Sequence, residues 1–268
     1  MALRNRTGLL ALMIVGVSAG LLTAYFAGKS ANAPVVPAQT ENAGIQKEDL
    51  GAGIREYLLA NPEIVEEMQQ ALEVKKEAES RKMAQAAIAD NKDAIFSAPE
   101  DIVLGNPAGD VTVVEFYDYN CGFCKRAMTD MINLIDKDPN VRFVLKEFPI
   151  LGPDSMAAHR VAMSFRALAP EQYGDFHMKL LGGDVRATEA HAIDVAKGFG
   201  VDEAALIAGM SDPAIDQSIR QTYDLANALG ISGTPSFVIG DEAVFGAVGE
   251  EALLAKISNM RQCESTVC

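Results

Sequence analysis

Apolar and polar positions along the chain change their rhythm three times. From Thr7 to Gly28 the residues are uncharged and mostly apolar. From Ile45 to Phe96 the composition turns to Glu, Lys, Gln and Ala, with apolar residues at helical spacing. Ile54, Tyr57 and Leu58 mark one short helix. Asn61 fits an N-cap, with Pro62 at the first helical position of the next. Ile64, Val65, Met68 and Leu72 then form an apolar stripe, which Lys75, Lys76 and Glu77 weaken and Met83, Ala87 and Ile88 resume. This helix is too polar to fold by itself. It must dock on the rest of the chain or pair with copies of itself, and about two heptads give only weak support for a coiled coil.

At Asp101 the pattern becomes that of strands. "DIVLG" and "VTVVEFYDY" are rich in β-branched and aromatic residues. "CKRAMTDMINLIDK" predicts a helix with Met128, Met131, Ile132 and Ile135 on one face, and Val141 to Ile150 a further strand. Strand, helix, strand is the signature of a parallel βαβ unit. A helical block follows, in which Met156, Val161, Ala162, Phe165 and Leu168 make one stripe. Asp202 and Asp212 fit N-caps, Pro213 sits just inside its helix, and Gly230 fits the residue after a helix end. "TPSFVIG" and "AVFGAV" predict a hairpin around Gly240-Asp241, and Glu250 to Met260 a closing helix. The order ββαβ, helices, ββα places the chain in the α/β class.

Charge changes the picture at the N-terminus. Arg4 and Arg6 precede the uncharged run, and Ala31-Asn32-Ala33 fits a small-residue cleavage site. The expectation is a signal peptide over 1–33. An uncleaved anchor is the alternative, since the run is long enough to span a bilayer. Either puts the remainder outside the cytoplasm, with a linker over 34–44. The whole chain carries a net charge of −14. Residues 1–33 hold Arg4, Arg6 and Lys29 and no acid, which leaves the remainder at −17. An acidic body of this kind argues against nucleic acid as a partner.

Export makes the four cysteines the candidate chemistry, because exported thiols meet an oxidising environment. Cys121 ends a loop leaving a hydrophobic strand, and Gly122-Phe123-Cys124 starts a helix. A helix N-terminus supplies free N–H groups and a positive dipole end, which stabilise a thiolate. Cys121 is therefore the expected exposed nucleophile and Cys124 the buried resolving thiol, with Lys125 and Arg126 adding positive potential. A zinc site would need four ligands. Beyond the pair the chain offers Cys263, Cys268 and three scattered histidines, His159, His177 and His191, which read as ordinary helix residues. A structural disulfide, or Cu(I) held by the reduced pair, are the other readings. Cys263 and Cys268 are expected to pair with each other. No cofactor is expected.

Strand–CxxC–helix followed much later by "GTPSF" resembles the thioredoxin superfamily, and the helical insertion at about 152–230 resembles its DsbA type. A helical N-terminal segment ahead of such a domain resembles the ScsC (suppressor of copper sensitivity) group of periplasmic proteins. The resemblance implies a thioredoxin-like catalytic domain over 99–268 and a helical oligomerisation segment over 45–98. It also implies that Cys121 and Cys124 are catalytic and form a redox-active disulfide. Pro235 is then the cis-proline, with Thr234 before it and Phe123 between the cysteines, all three placed against substrate. Glu115 becomes a buried carboxylate under the dithiol that relays the Cys124 proton, and Lys146 its partner. The implied activity is thiol:disulfide exchange on unfolded or misoxidised exported proteins, in the periplasm. Gly-Phe between the cysteines and Thr234 before the proline favour an isomerase or reductase. The alternatives are a dithiol oxidase and a Cu(I)-binding protein. A membrane redox partner and a homo-oligomer complete the expectation.

Overall fold

A computed structural model describes residues 47–99 and 101–268. The expected signal peptide or anchor and the linker lie outside the described residues. The chain divides into two units, residues 1–60 and 61–268. Within the first, α1 (Lys47–Ala60) exposes Leu50, Ile54, Tyr57, Leu58 and Leu59.

The second unit opens with α2 (Ile64–Asp90), one unbroken helix through the polar stretch at Lys75. It begins two residues later than the Asn61-Pro62 pair suggests, with Glu63 at the N-cap. Asn61 and Pro62 instead form the preceding turn, where their carbonyls accept the N–H groups of Ile64 and Val65. Along α2, Val65, Met68, Leu72, Val74 and Met83 stay exposed and only Ile88 is buried. A short helix, α3 (Lys92–Phe96), buries Ile95.

The described residues form a five-stranded sheet in the order β1 (Ile102–Gly105), β3 (Val141–Glu147), β2 (Val111–Tyr117), β4 (Ser236–Ile239), β5 (Glu242–Phe245). β2 and β3 are parallel and joined through α4 (Gly122–Lys137); the other pairs are antiparallel. Both faces of β2 and β3 are covered, which is why their sequences read as continuous apolar runs. On one face Val113, Tyr117, Phe143 and Leu145 join a core with α4 and the helical insertion. On the other, Val114, Phe116 and Val144 pack with Ile88, Ile95, Leu225 and Leu229.

The insertion comprises α5 (Pro153–Leu168), a 3-10 turn at Pro170–Gln172, α6 (Tyr173–Gly182), α7 (Glu189–Lys197), α8 (Glu203–Gly209) and α9 (Pro213–Ala228). Asp202 and Asp212 cap α8 and α9 through the N–H groups of Ala205 and Ala214. Leu168 departs from its expected stripe and is exposed, because α5 ends there. After α9, Gly230 takes φ 68°, and the N–H groups of Gly230 and Ile231 return to the carbonyls of Asn227 and Ala226. That left-handed helix stop leads the chain directly into β4. Gly240 turns the β4–β5 hairpin at φ 53°, a conformation that favours glycine, and packs against the end of the Met260 side chain of α10 (Glu250–Cys263), which a Cβ there would displace. A disulfide joins Cys263 and Cys268 just beyond.

Candidate active site

β2 delivers the chain to the site, and a four-residue loop, Asp118 to Cys121, carries it into α4. Cys121 is the N-cap of α4, and its sulfur accepts the Cys124 N–H at 3.3 Å. Across the site a cis peptide joins Thr234 to Pro235, and the Cys121 thiol donates to the Thr234 carbonyl at 3.2 Å. The sequence thus brings together groups 113 residues apart.

One expectation about the cysteines needs correction. Cys121 is only 6% exposed rather than open to solvent, because the Thr234 loop lies against it. The two sulfurs are not bonded to each other here. Their electrostatics differ sharply. The Cys124 thiol hydrogen-bonds the Cys121 sulfur, Thr234 and the N–H groups of Cys124 and Phe123 add to it, and together they outweigh burial. The Cys121 pKa falls to about 6. Cys124 moves the other way, pushed far up by burial, by Cys121 and by the nearby Glu115.

Glu115 is buried on β2 with its Oε1 lacking any hydrogen-bond partner among the described residues. Burial, followed by the charges of Cys121 and Asp130, raises its pKa to about 8. Lys146 is not its partner. In the β2–β3 register Glu115 sits beside Leu145 and Phe116 beside Lys146. Successive strand residues alternate faces, so Lys146 projects to the side away from the dithiol. There it donates to the Ala94 carbonyl at 2.7 Å and pairs with Asp101.

The positive groups beside the dithiol are also committed elsewhere. Lys125 donates to Asp184 at 2.7 Å and to the Gly183 carbonyl. The Arg126 guanidinium lies over the Phe123 ring, 4.2 Å from its centroid. Phe123 itself is 57% exposed, beside a cleft lined by Tyr119, Cys121, Lys125 and Val185.

Sequence reasoning missed two groups of residues. Asp118 and Asn120 hold the loop, through bonds to Ile150, Leu151, Ser155 and Ala187. The Asp-x-Asn pattern before a helix is a usable turn signal that the strand-like "FYDY" obscures. His159 and His177 are not ordinary helix residues but part of a buried polar network. Tyr117, Tyr119 and Tyr173 join hydroxyls, Tyr173 donates to Glu147 at 2.7 Å, and His159 Nδ1 meets Glu147 at 2.6 Å. The Tyr119 N–H donates to His159 Nε2, which assigns the His159 proton to Nδ1. His177 contacts the Tyr119 hydroxyl, and burial with His159 nearby pushes its pKa down to about 3. Nothing local in sequence marks these residues, which come from β2, β3, α5, α6 and the loop after β2.

No group of three or more His, Cys, Asp or Glu side chains among the described residues is arranged to hold a metal. The two thiols are the soft donors at the site. No helix among the described residues is long and apolar enough to cross a membrane.

Comparison with known proteins agrees with this geometry. Residues 112–258 match the DSBA-like thioredoxin domain, and residues 46–79 the copper resistance protein ScsC N-terminal domain. A thioredoxin-like oxidoreductase from Silicibacter pomeroyi is 43% identical with a TM-score of 0.62, covering 65% of this chain and 99% of its own. A linker-deletion mutant of Proteus mirabilis ScsC is 25% identical with a TM-score of 0.62, covering 84% of this chain and 99% of its own. Among curated proteins, Disulfide bond formation protein D of Bacillus subtilis is 26% identical over 152 residues, 53% of this chain and 68% of the relative. The Na(+)/H(+) antiporter NhaA 1 of Salinispora arenicola is 26% identical over 161 residues, 59% of this chain, which spans only 24% of that relative's length. The chain belongs to the DsbA-like thioredoxin family of thiol:disulfide oxidoreductases.

Proposed function

We propose that this chain is an exported thiol:disulfide isomerase or reductase, acting on disulfide-bonded proteins outside the cytoplasm. The observation that carries this reading is the contrast within the dithiol: Cys121 is held near pKa 6 at a helix start while Cys124, one turn on, is pushed far above its ordinary range. A thiolate of that kind is populated at neutral pH and remains nucleophilic.

Attack by the Cys121 thiolate on a substrate disulfide forms a bond from its sulfur to one substrate sulfur. The other substrate sulfur leaves as a thiolate. Once Cys121 has no S–H, the Thr234 carbonyl is free to accept an N–H from an extended substrate segment. Two exits follow. In isomerisation a different thiolate of the substrate attacks the mixed disulfide at the substrate sulfur, restores Cys121 as a thiolate and leaves a different pairing, with no net change in electrons. In reduction the ionised form of Glu115, a minor fraction at neutral pH, takes the Cys124 proton, and the Cys124 sulfur attacks the Cys121 sulfur, releasing the substrate sulfur as a thiolate and leaving a Cys121–Cys124 disulfide. Restoring the dithiol then takes two electrons and two protons from a dithiol donor, the role proposed for a membrane redox partner.

The exposed apolar side chains of α1 and, separately, of α2 support a homo-oligomer built through the N-terminal helices, since such a stripe is costly to leave in water. The test of function is the redox state of Cys121 and Cys124 in freshly isolated exported protein, paired with Cys124→Ala. A mainly reduced pair, and substrates trapped covalently on Cys121 in the variant, are expected. A mainly oxidised pair would make the protein a dithiol oxidase instead.

A further inference from the structure

The loop in front of Cys121 is held by one fully buried carboxylate. The Asp118 carboxylate accepts four hydrogen bonds. Its Oδ1 takes the Asn120 N–H at 2.8 Å and the Ser155 hydroxyl at 2.7 Å. Its Oδ2 takes the Ile150 and Leu151 N–H groups at 2.8 and 2.9 Å. Ser155 in turn accepts from the Asn120 amide at 3.1 Å, and that amide also clasps Ala187 of the insertion through its carbonyl and N–H. The carboxylate therefore ties three pieces of chain together: the loop before α4, the turn after β3 and the first turn of α5.

The Asp118 backbone serves the thiols directly. Its carbonyl accepts the Cys121 N–H at 3.0 Å, and its N–H faces the Cys124 sulfur. A shift of this residue moves both sulfurs. Each donor around the carboxylate is fixed in direction by the backbone or by the Asn120–Ser155 pair, so only an acceptor with both oxygens bare satisfies all four. An amide of the same shape would turn an NH2 against existing donors and strand buried N–H groups.

We propose that Asp118 is a positioning residue for the dithiol: its carboxylate fixes the loop that sets the Cys121 sulfur against the Cys124 N–H and the Thr234 carbonyl. This rests on the thiol-exchange reading of the site but names a residue outside the reacting atoms. The contacts it fixes are those that lower the Cys121 pKa; Glu115 and Cys124 are the titratable groups coupled to that sulfur, and Tyr119, Lys125, Asp184 and Arg186 line the cleft beside it.

The test is the pH profile of Cys121 alkylation by iodoacetamide in the reduced full-length protein, with Asp118→Asn and Ser155→Ala compared to wild type. Folding of each is checked by near-ultraviolet circular dichroism. Asp118→Asn should raise the alkylation midpoint by about one pH unit, which makes alkylation at pH 6 several-fold slower. Ser155→Ala, which removes one of the four donors, should shift it the same way by less. A folded Asp118→Asn protein with the wild-type midpoint overturns the proposal. If Asp118→Asn does not fold, Ser155→Ala decides: a raised midpoint supports the proposal and an unchanged one overturns it. A purely structural role would lower the melting temperature and leave the midpoint of the folded protein in place. Alkylation needs no protein substrate, so a wild type without isomerase activity would defeat the functional reading and leave this test standing.

Discussion

Glu115 and Lys146 lie on neighbouring parallel strands and face opposite sides of the sheet. Lys146 is in register with Phe116 and pairs with Asp101, while Glu115 is buried beneath the dithiol with its Oε1 unbonded among the described residues. The separation has a chemical consequence. A bonded lysine would hold Glu115 ionised, whereas burial lifts its pKa from 4.5 to about 8 and gives it a proton affinity suited to exchange near neutral pH.

That shift ties stability to pH. Between pH 4.5 and about 8 the folded protein keeps the Glu115 proton and the unfolded chain has lost it. The group's stabilising effect is therefore complete below pH 4.5 and is lost as pH rises through 8, by up to roughly 1.4 kcal/mol per pH unit. Glu115→Gln has no such dependence. Its melting temperature relative to wild type should climb steadily from pH 5 to pH 8, while resolution of mixed disulfides slows. A difference in melting temperature that stays flat across this range would contradict the burial of an ionisable group here.

The segment of α2 and α3 divides into an exposed part and a docked part. Ile88 and Ile95 belong to the core, and Gln85 donates to Asp241 at 2.9 Å. A truncation that starts at Arg81 keeps those contacts and removes Val65, Met68 and Leu72. It should give a folded monomer with wild-type Cys121 alkylation but poor isomerase activity. Light scattering on the exported full-length protein should show an oligomer; a monomer there would end the assembly proposal.

Asp241, in the hairpin turn, gathers Gln85 from α2 and Ser265 and Thr266 from the tail closed by the Cys263–Cys268 disulfide. Asp241→Ala leaves the buried Thr266 N–H and hydroxyl without their acceptor. A loss of about 1–3 kcal/mol in urea unfolding is expected. Replacing both cysteines with serine removes a short closed loop worth roughly 2 kcal/mol. Neither change should alter thiol exchange at Cys121, and an altered rate would connect the tail to the site.

Much of this architecture is legible because local rules and tertiary environment agree. β2 and β3 read as continuous apolar runs since both faces are covered, and Gly230 and Gly240 stand where the backbone needs positive φ. The place of Cys121 at a helix start follows from a hydrophobic strand, a short polar loop and the helical pattern that begins at Gly122. Other features depend on information no single stretch carries. Which face Lys146 takes is a matter of register, invisible until β2 and β3 are paired. The burial of Cys121 comes from a loop more than a hundred residues away, and the pairing of His159 with Glu147 needs the insertion folded onto β3. The start of α2 is not legible locally, because Pro62 suits a turn as well as a first helical position.

The division of labour within the dithiol is tested most directly by peptide-resolved alkylation of the fully reduced protein over a graded pH series. Cys121 should react with a midpoint near pH 6, while Cys124 stays protected well into the alkaline range. Alkylation of Cys124 at a lower pH than Cys121, or equal reactivity at an ordinary thiol pKa, would contradict the assignment of Cys121 as nucleophile and Cys124 as resolving thiol.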